Sequence, residues 1–188
     1  MIEKKIKNII LENIKTLIGA LLIAILIRSL LIQPFYIPSS SMEPTLLVGD
    51  RIFVSKYSYG YSKHSFPFSP NISNNRFLFK KPEQGDLIVF KTPADNRTDY
   101  IKRLIGKPGD TLQFINGDIY LNKKKIIKNK IEESMSIRCG KINCPVKIYE
   151  ETLPNGVKYK AVYNSAGTLQ NTDVYTVPDN NYFLLGDN

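Results

Sequence analysis

Three hydroxyls in succession, Ser39, Ser40 and Ser41, stand between Pro38 and the run Met42-Glu43-Pro44. A proline on either side restricts the backbone there, as a nucleophile held for attack requires. A serine hydroxyl is a weak nucleophile and needs a base. The sequence offers one histidine, His64, inside the polar loop Tyr61-Ser62-Lys63-His64-Ser65-Phe66-Pro67. A lone loop histidine is more often a surface residue than a catalytic one. Lysine is the other known base for a serine.

Of the many lysines, Lys102 has the most telling surroundings, Asp99-Tyr100-Ile101-Lys102-Arg103-Leu104-Ile105. On a strand, Tyr100, Lys102 and Leu104 would share one face, and Ile101, Arg103 and Ile105 the other. Each cation is then flanked by apolar neighbours rather than by carboxylates. Desolvation lowers a lysine pKa from about 10.4, by as much as roughly 3–5 units on full burial, and a free amine can take a proton. Arg103 never gives up its proton and is no candidate base. The same spacing also fits two cations snorkelling from a sheet edge, and spacing alone does not bring Lys102 to Ser41.

An anchor and a β-domain would have to position these groups. Leu17 to Ile32 is apolar except for Arg28 and Ser29. Counted from Asn13, the segment gives about 20 residues, or roughly 30 Å of helix, just enough to span a bilayer. Lys4, Lys5, Lys7 and Lys15 precede it, which keeps the N-terminus cytoplasmic. Arg28 can snorkel at the exit end, and Gln33-Pro34 ends the helix. A cleaved signal peptide or a buried core helix would also fit the apolar run, but Gln33-Pro34-Phe35-Tyr36-Ile37-Pro38 lacks a small-x-small cleavage site. The expected organisation is a cytoplasmic N-terminus over 1–12, an uncleaved signal-anchor over 13–32 and an exported domain over 33–188.

Beyond Thr45 the helical period vanishes. Short strands are expected at Asp50–Lys56, Asp86–Lys91, Asp99–Ile105, Thr111–Phe114, Ile119–Leu121, Val157–Tyr163 and Tyr182–Leu185, with Asn116-Gly117-Asp118 as a hairpin turn. Many short strands and no long amphipathic helix imply a mostly β, antiparallel sheet or barrel-like domain. Tyr57 to Asn75 is expected as a long loop whose aromatics rest on a membrane interface or cap a sheet end.

The net charge of +9 over 188 residues fits an anionic membrane surface or nucleic acid, and the anchor favours the membrane. The basic stretch Asn122 to Lys130, with Lys123-Lys124-Lys125, is expected as a hairpin edge guarded by lysines, ahead of a lipid or nucleic-acid patch. Cys139, Cys144 and His64 are too few for a structural zinc site. On the far side of a membrane the two cysteines could close a small disulfide loop, or remain reduced in a surface hairpin.

Together the block Pro38 to Leu46 and the block Asp99 to Asp110 resemble the Ser/Lys-dyad type I signal peptidases of bacteria. Gly85-Asp86-Leu87-Ile88-Val89-Phe90 is similar to that family's intervening strand, and Lys107-Pro108-Gly109-Asp110 to its following turn. The resemblance implies Ser41 as nucleophile, Lys102 as general base, and Ser39 with the Ser41 amide as oxyanion hole. It implies pockets for small side chains lined by Phe35, Ile37, Pro38, Met42, Leu46, Tyr100 and Ile101. No metal or cofactor follows from it. The implied partners are signal peptides of exported preproteins, membrane lipids and nearby export machinery, with no nucleic acid. The implied location is the bacterial plasma membrane, crossed once, with the catalytic domain on the outer, periplasmic side. The family's last block runs on from Gly-Asp-Asn to a serine that orients the lysine, whereas this sequence stops at Gly186-Asp187-Asn188. A C-terminally truncated chain with an interrupted sheet is therefore expected. Two rivals stand beside the peptidase: a self-cleaving Ser/Lys repressor, against which the anchor speaks, and a non-catalytic membrane-anchored β-domain, either a binding module or a decayed peptidase.

Overall fold

The apolar run near the start forms one helix, α1 (Ile2–Leu30). It begins well before Asn13 because Lys, Glu, Ile and Leu, all tolerated in helices, continue the helical backbone through the polar first turns. The structure, a computed structural model, describes residues 2–66, 76–139, 142–163 and 170–188. It divides into two compact units, Met1–Phe35 with Ile52–Lys81, and Tyr36–Arg51 with Pro82–Asn188.

In the first unit, a 27-residue stretch of α1, Lys4–Leu30, is long and apolar enough to cross a membrane. Its leucines and isoleucines are exposed, Leu17 at 71% and Leu21 at 58%. Such a surface is unfavourable in water and suits hydrocarbon, where a helix also satisfies its own backbone. The last turn closes with Leu31 N–H on the Ile27 carbonyl at 2.9 Å. Pro34 disfavours a helical residue before it, and the chain extends into β1 (Ile32–Tyr36), paired with β2 (Arg51–Ser55). Two carbonyls at the helix end find donors, Leu30 from the Tyr61 hydroxyl at 2.8 Å and Leu31 from Lys56 N–H at 2.9 Å. The expected loop after Tyr57 contains a 3-10 turn, Lys63–Ser65, and a bridge from Tyr61 to Phe77. Its middle, 67–75, lies outside the described residues.

The second unit carries three antiparallel sheets. The first orders β12 (Phe183–Leu185), β4 (Asp99–Gly106) and β3 (Leu87–Lys91), with β4 in the centre. The second orders β11 (Tyr175–Thr176), β5 (Thr111–Ile115), β6 (Asp118–Leu121) and β7 (Lys124–Lys125). The third orders β10 (Lys158–Tyr163), β9 (Ile142–Thr152) and β8 (Ile127–Cys139). Asn116 (φ 50°) and Gly117 (φ 79°) join β5 to β6, a pair of left-handed residues as a tight hairpin demands. Alternate residues of β4, β5, β6 and β10, with three residues just beyond strand ends (Ile126, Leu153 and Val177), meet in one core of Ile105, Leu112, Phe114, Ile119, Leu121, Ile126, Leu153, Tyr159, Ala161 and Val177.

Each expected strand is present within a residue or two of its expected ends. The long β8–β9 hairpin is additional, because Lys128, Asn129 and Lys130 followed by Glu132-Glu133-Ser134 blur any alternation. A register shift between Ile131 and Ser134 breaks its period as well. The lysine-rich stretch forms edge strand β7, where Lys125 meets Asp118 at 2.5 Å. The side chains of Cys139 and Cys144, on which the disulfide expectation falls, lie outside the described set.

Candidate active site

The serine loop is held at both ends. Ile37 N–H donates to the Asp50 carbonyl and Gly49 N–H to the Ile37 carbonyl, each at 2.9 Å. Within it, Glu43 N–H reaches the Ser40 carbonyl and Leu46 N–H the Met42 carbonyl, also at 2.9 Å. Met42, 1% exposed, and Ile37, 3%, fix the loop to the interior. Ser39 is exposed, and Ser41, two residues on and next to the buried Met42, is half-buried. Its Oγ lies 3.4 Å from Ser39 Oγ, so two of the three hydroxyls face one place.

Lys102 comes from the middle of β4, opposite Ile88 of β3. Its Nζ hydrogen-bonds Ser41 Oγ. Burial pushes the ammonium below the usual lysine range, and the Asp187 carboxylate acts in the opposite direction. Burial is the larger influence, so the free amine is more accessible than in an exposed lysine. In that form the contact can carry the serine proton to nitrogen.

The opposite face of β4 is anchored by Arg103. Its Nε donates to Asp187 Oδ1 at 2.8 Å and its Nη2 to Oδ2 at 2.7 Å. Nη1 donates to the Gly85 carbonyl at 2.8 Å, and Nη2 also reaches Thr45 Oγ1 at 3.3 Å. Thr45 Oγ1 in turn donates to Asp187 Oδ2 at 2.5 Å. Arg103 and Asp187 are both buried, at 6% and 2%. A two-pronged buried pair of this kind fixes geometry more surely than it adds stability. It ties β4 to the loop after Ser41.

The segment carrying Asp187 also lies against the nucleophile. Val162 N–H donates to the Asp187 carbonyl at 2.7 Å. Asn188 Nδ2 donates to the Ser40 carbonyl at 3.0 Å. A Cβ on Gly186 would sit 2.3 Å from the Ser41 carbonyl oxygen, so only glycine permits this approach. Sequence reading set Arg103 aside as a non-base and saw no carboxylate near either cation. Asp187 is that carboxylate, 84 positions away. The block Gly186-Asp187-Asn188 stands out in the sequence, but nothing within the strand signals its pairing with Arg103.

The expected pocket residues fall in several environments. Tyr100 is 49% exposed and meets Phe90 edge-on, with ring centroids 6.2 Å apart. Leu46 and Ile101 are half-buried and Pro38 is exposed, whereas Ile37 and Met42 keep almost no free surface. Phe35 lies on β1 and His64 in the 3-10 turn, both in the first unit.

A serine hydroxyl on an amine base, set on an antiparallel frame, can attack a carbonyl and form an acyl intermediate. The family model described as signal peptidase, peptidase S26, matches residues 10–188. The chain belongs to that family. Signal peptidase I of Rickettsia canadensis is 45% identical over 177 residues, which are 88% of this chain and 64% of that protein. Signal peptidase I of Rickettsia akari is 43% identical over 178 residues, again 88% and 64%. For Rickettsia bellii the figures are 41% over 184 residues, 93% and 62%. The chain thus spans a little under two thirds of the length of these signal peptidases.

Proposed function

We propose that this protein is a membrane-anchored serine endopeptidase that removes N-terminal signal peptides from exported preproteins. The observation that carries the reading is the contact between Lys102 Nζ and Ser41 Oγ. In the mechanism, Ser41 Oγ attacks the scissile carbonyl as Lys102 takes its proton. The oxyanion is received by Ser39 Oγ and the Ser41 backbone N–H. Lys102 passes its proton to the departing amine, the acyl group remains on Ser41, and water deprotonated by Lys102 releases it. Asp187 and Arg103 take no proton. They hold the strand that presents the lysine.

Substrate choice is assigned to apolar residues that share the second unit with the dyad, Ile37, Pro38, Met42, Leu46, Tyr100 and Ile101, while the assignment of Phe35 rests on the family resemblance alone. Restricted apolar space admits small side chains one and three residues before the cut, because larger ones overfill it. The α1 helix supplies the membrane tether, with residues 1–12 cytoplasmic, 13–32 spanning and 33–188 on the outer side of a bacterial plasma membrane. Lys4, Lys5, Lys7 and Lys15 support that orientation, and lipids and the export machinery would then be its neighbours. Protease added to spheroplasts should digest the β-domain, and its full protection would reverse the topology.

A preprotein with alanine at both small positions tests the reading. The detergent-solubilised protein should release a product whose N-terminus follows the second alanine. Phenylalanine at either position should lower kcat/KM by about 10²-fold or more, since a ring exceeds the one-methylene difference worth roughly 10–200-fold. Cleavage at unrelated sites, or indifference to phenylalanine, would contradict it.

A further inference from the structure

Among the described residues, Glu151 is the most buried carboxylate outside the site, 1% exposed on β9. Tyr159 lies directly opposite it on β10. The hydroxyls of Tyr159 and Tyr163 both donate to its carboxylate oxygens. Burial and the adjacent carboxylate push both phenols far above their ordinary range, so they remain donors at any working pH. Glu151 itself is pushed up by burial, with the two phenols and Lys128 acting against that. Lys128 is engaged elsewhere, 2.6 Å from Asp118 and 3.9 Å above the Tyr163 ring.

This cluster touches the active site through one ring face. The guanidinium carbon of Arg103 lies 4.4 Å above the centroid of Tyr159. Arg103 is therefore held through its nitrogens by Asp187, Thr45 and the Gly85 carbonyl, and its Cζ lies over the Tyr159 ring. We propose that Tyr159, clamped by Glu151, is a positioning residue for Lys102, because its ring keeps Arg103 closed on Asp187. The inference rests on the reading of Lys102 as the base.

The consequence is electrostatic. Ser41 and Asp187 are the groups that act on Lys102. While Arg103 is closed on Asp187, the carboxylate charge is largely matched. A loosened Arg103 leaves that charge to act on Lys102, and a nearby anion favours the ammonium. The lysine then titrates at higher pH, and the acid limb of kcat/KM moves up with it.

The test keeps shape and changes the ring face. In the full chain, Tyr159 is replaced by phenylalanine and by 3,4,5-trifluorophenylalanine, which lack the hydroxyl equally and differ in the negative charge of the ring face. Two quantities are read: the Lys102 amine titration by NMR with labelled lysine, and the pH profile of preprotein cleavage. The trifluoro form should titrate about half to one pH unit above the phenylalanine form, equivalent to about three- to tenfold less activity on the acid limb, with KM unchanged. Identical Lys102 titrations in the two forms overturn the proposal, whatever the activities. A moved titration in a protein that cleaves nothing upholds the positioning role and sinks the peptidase reading instead. Should the phenylalanine form not fold, Tyr159→3,5-difluorotyrosine keeps the hydroxyl and is read against the wild type, with the same upward shift expected and no shift overturning the proposal.

Discussion

Lys102→Met is expected to abolish preprotein cleavage while making the folded protein more stable at neutral pH. Methionine fills the space of the lysine stem and offers no base. One positioned base is worth about 10²–10⁴-fold, and removing one member of a coupled nucleophile–base pair can cost about 10⁶-fold, so a fall of about 10⁴-fold or more is expected. Lys102→Arg should fail as well, since a guanidinium keeps its proton. The stability effect follows from burial, which lowers the folded pKa of Lys102 below that of the unfolded chain. Between those two values the unfolded state binds more protons, so stability rises with pH. Below the folded pKa the cost of burying the ammonium is present in full, and it is relieved as pH climbs toward about 10.4. The melting temperature of Lys102→Met should therefore exceed the wild type by most at low and neutral pH, with the gap closing toward that value. Residual cleavage within tenfold of wild type, or a gap that widens with pH, would count against the assignment.

Asp187→Ala should be among the most destabilising single changes in the second unit. It leaves the Arg103 guanidinium buried, held by the Gly85 carbonyl, Thr45 Oγ1 and the Tyr159 ring but facing no counter-charge from Asp187. Removing one partner of a buried pair costs about 3–5 kcal/mol. In a chain of this size that is a fall of roughly 6–20 °C in melting temperature. Asp187→Asn keeps the shape and part of the hydrogen bonding and should cost less. It also removes the anion that holds Lys102 up, so its acid limb should move to lower pH. The double change Arg103→Met with Asp187→Leu should be milder than either charge left alone, since no buried ion remains unpaired. Asp187→Ala melting within a degree or two of wild type would show that the pair has no structural role.

Much of this architecture was legible before any coordinates. Turn residues at Asn116-Gly117 and Gly109-Asp110, with alternation between them, fixed β5 and β6 because local rules govern tight hairpins. The serine loop and Lys102 were legible through a family resemblance, since no period on a strand relates Ser41 to a residue 61 positions away. What stayed hidden was long-range pairing. Arg103 and Asp187 meet because β12 pairs with β4, Leu185 opposite Arg103, and a sequence in isolation does not announce strand partners. Tyr159 and Glu151 were invisible for the same reason: Tyr159 reads as an ordinary strand residue and Glu151 lies in a hairpin with no clear sequence signal, until β9 and β10 are set in register. The β8–β9 hairpin was missed where charged residues fall on both faces and a register shift breaks the period.

The most direct test of a Ser41 nucleophile with a Lys102 base is a mass measurement on protein quenched in acid during turnover of a preprotein. The wild type should carry the mass of the signal peptide on the tryptic fragment containing Ser41, and Ser41→Ala should carry none and release no product. Undiminished cleavage by Ser41→Ala, or the adduct on any other residue, would contradict the account.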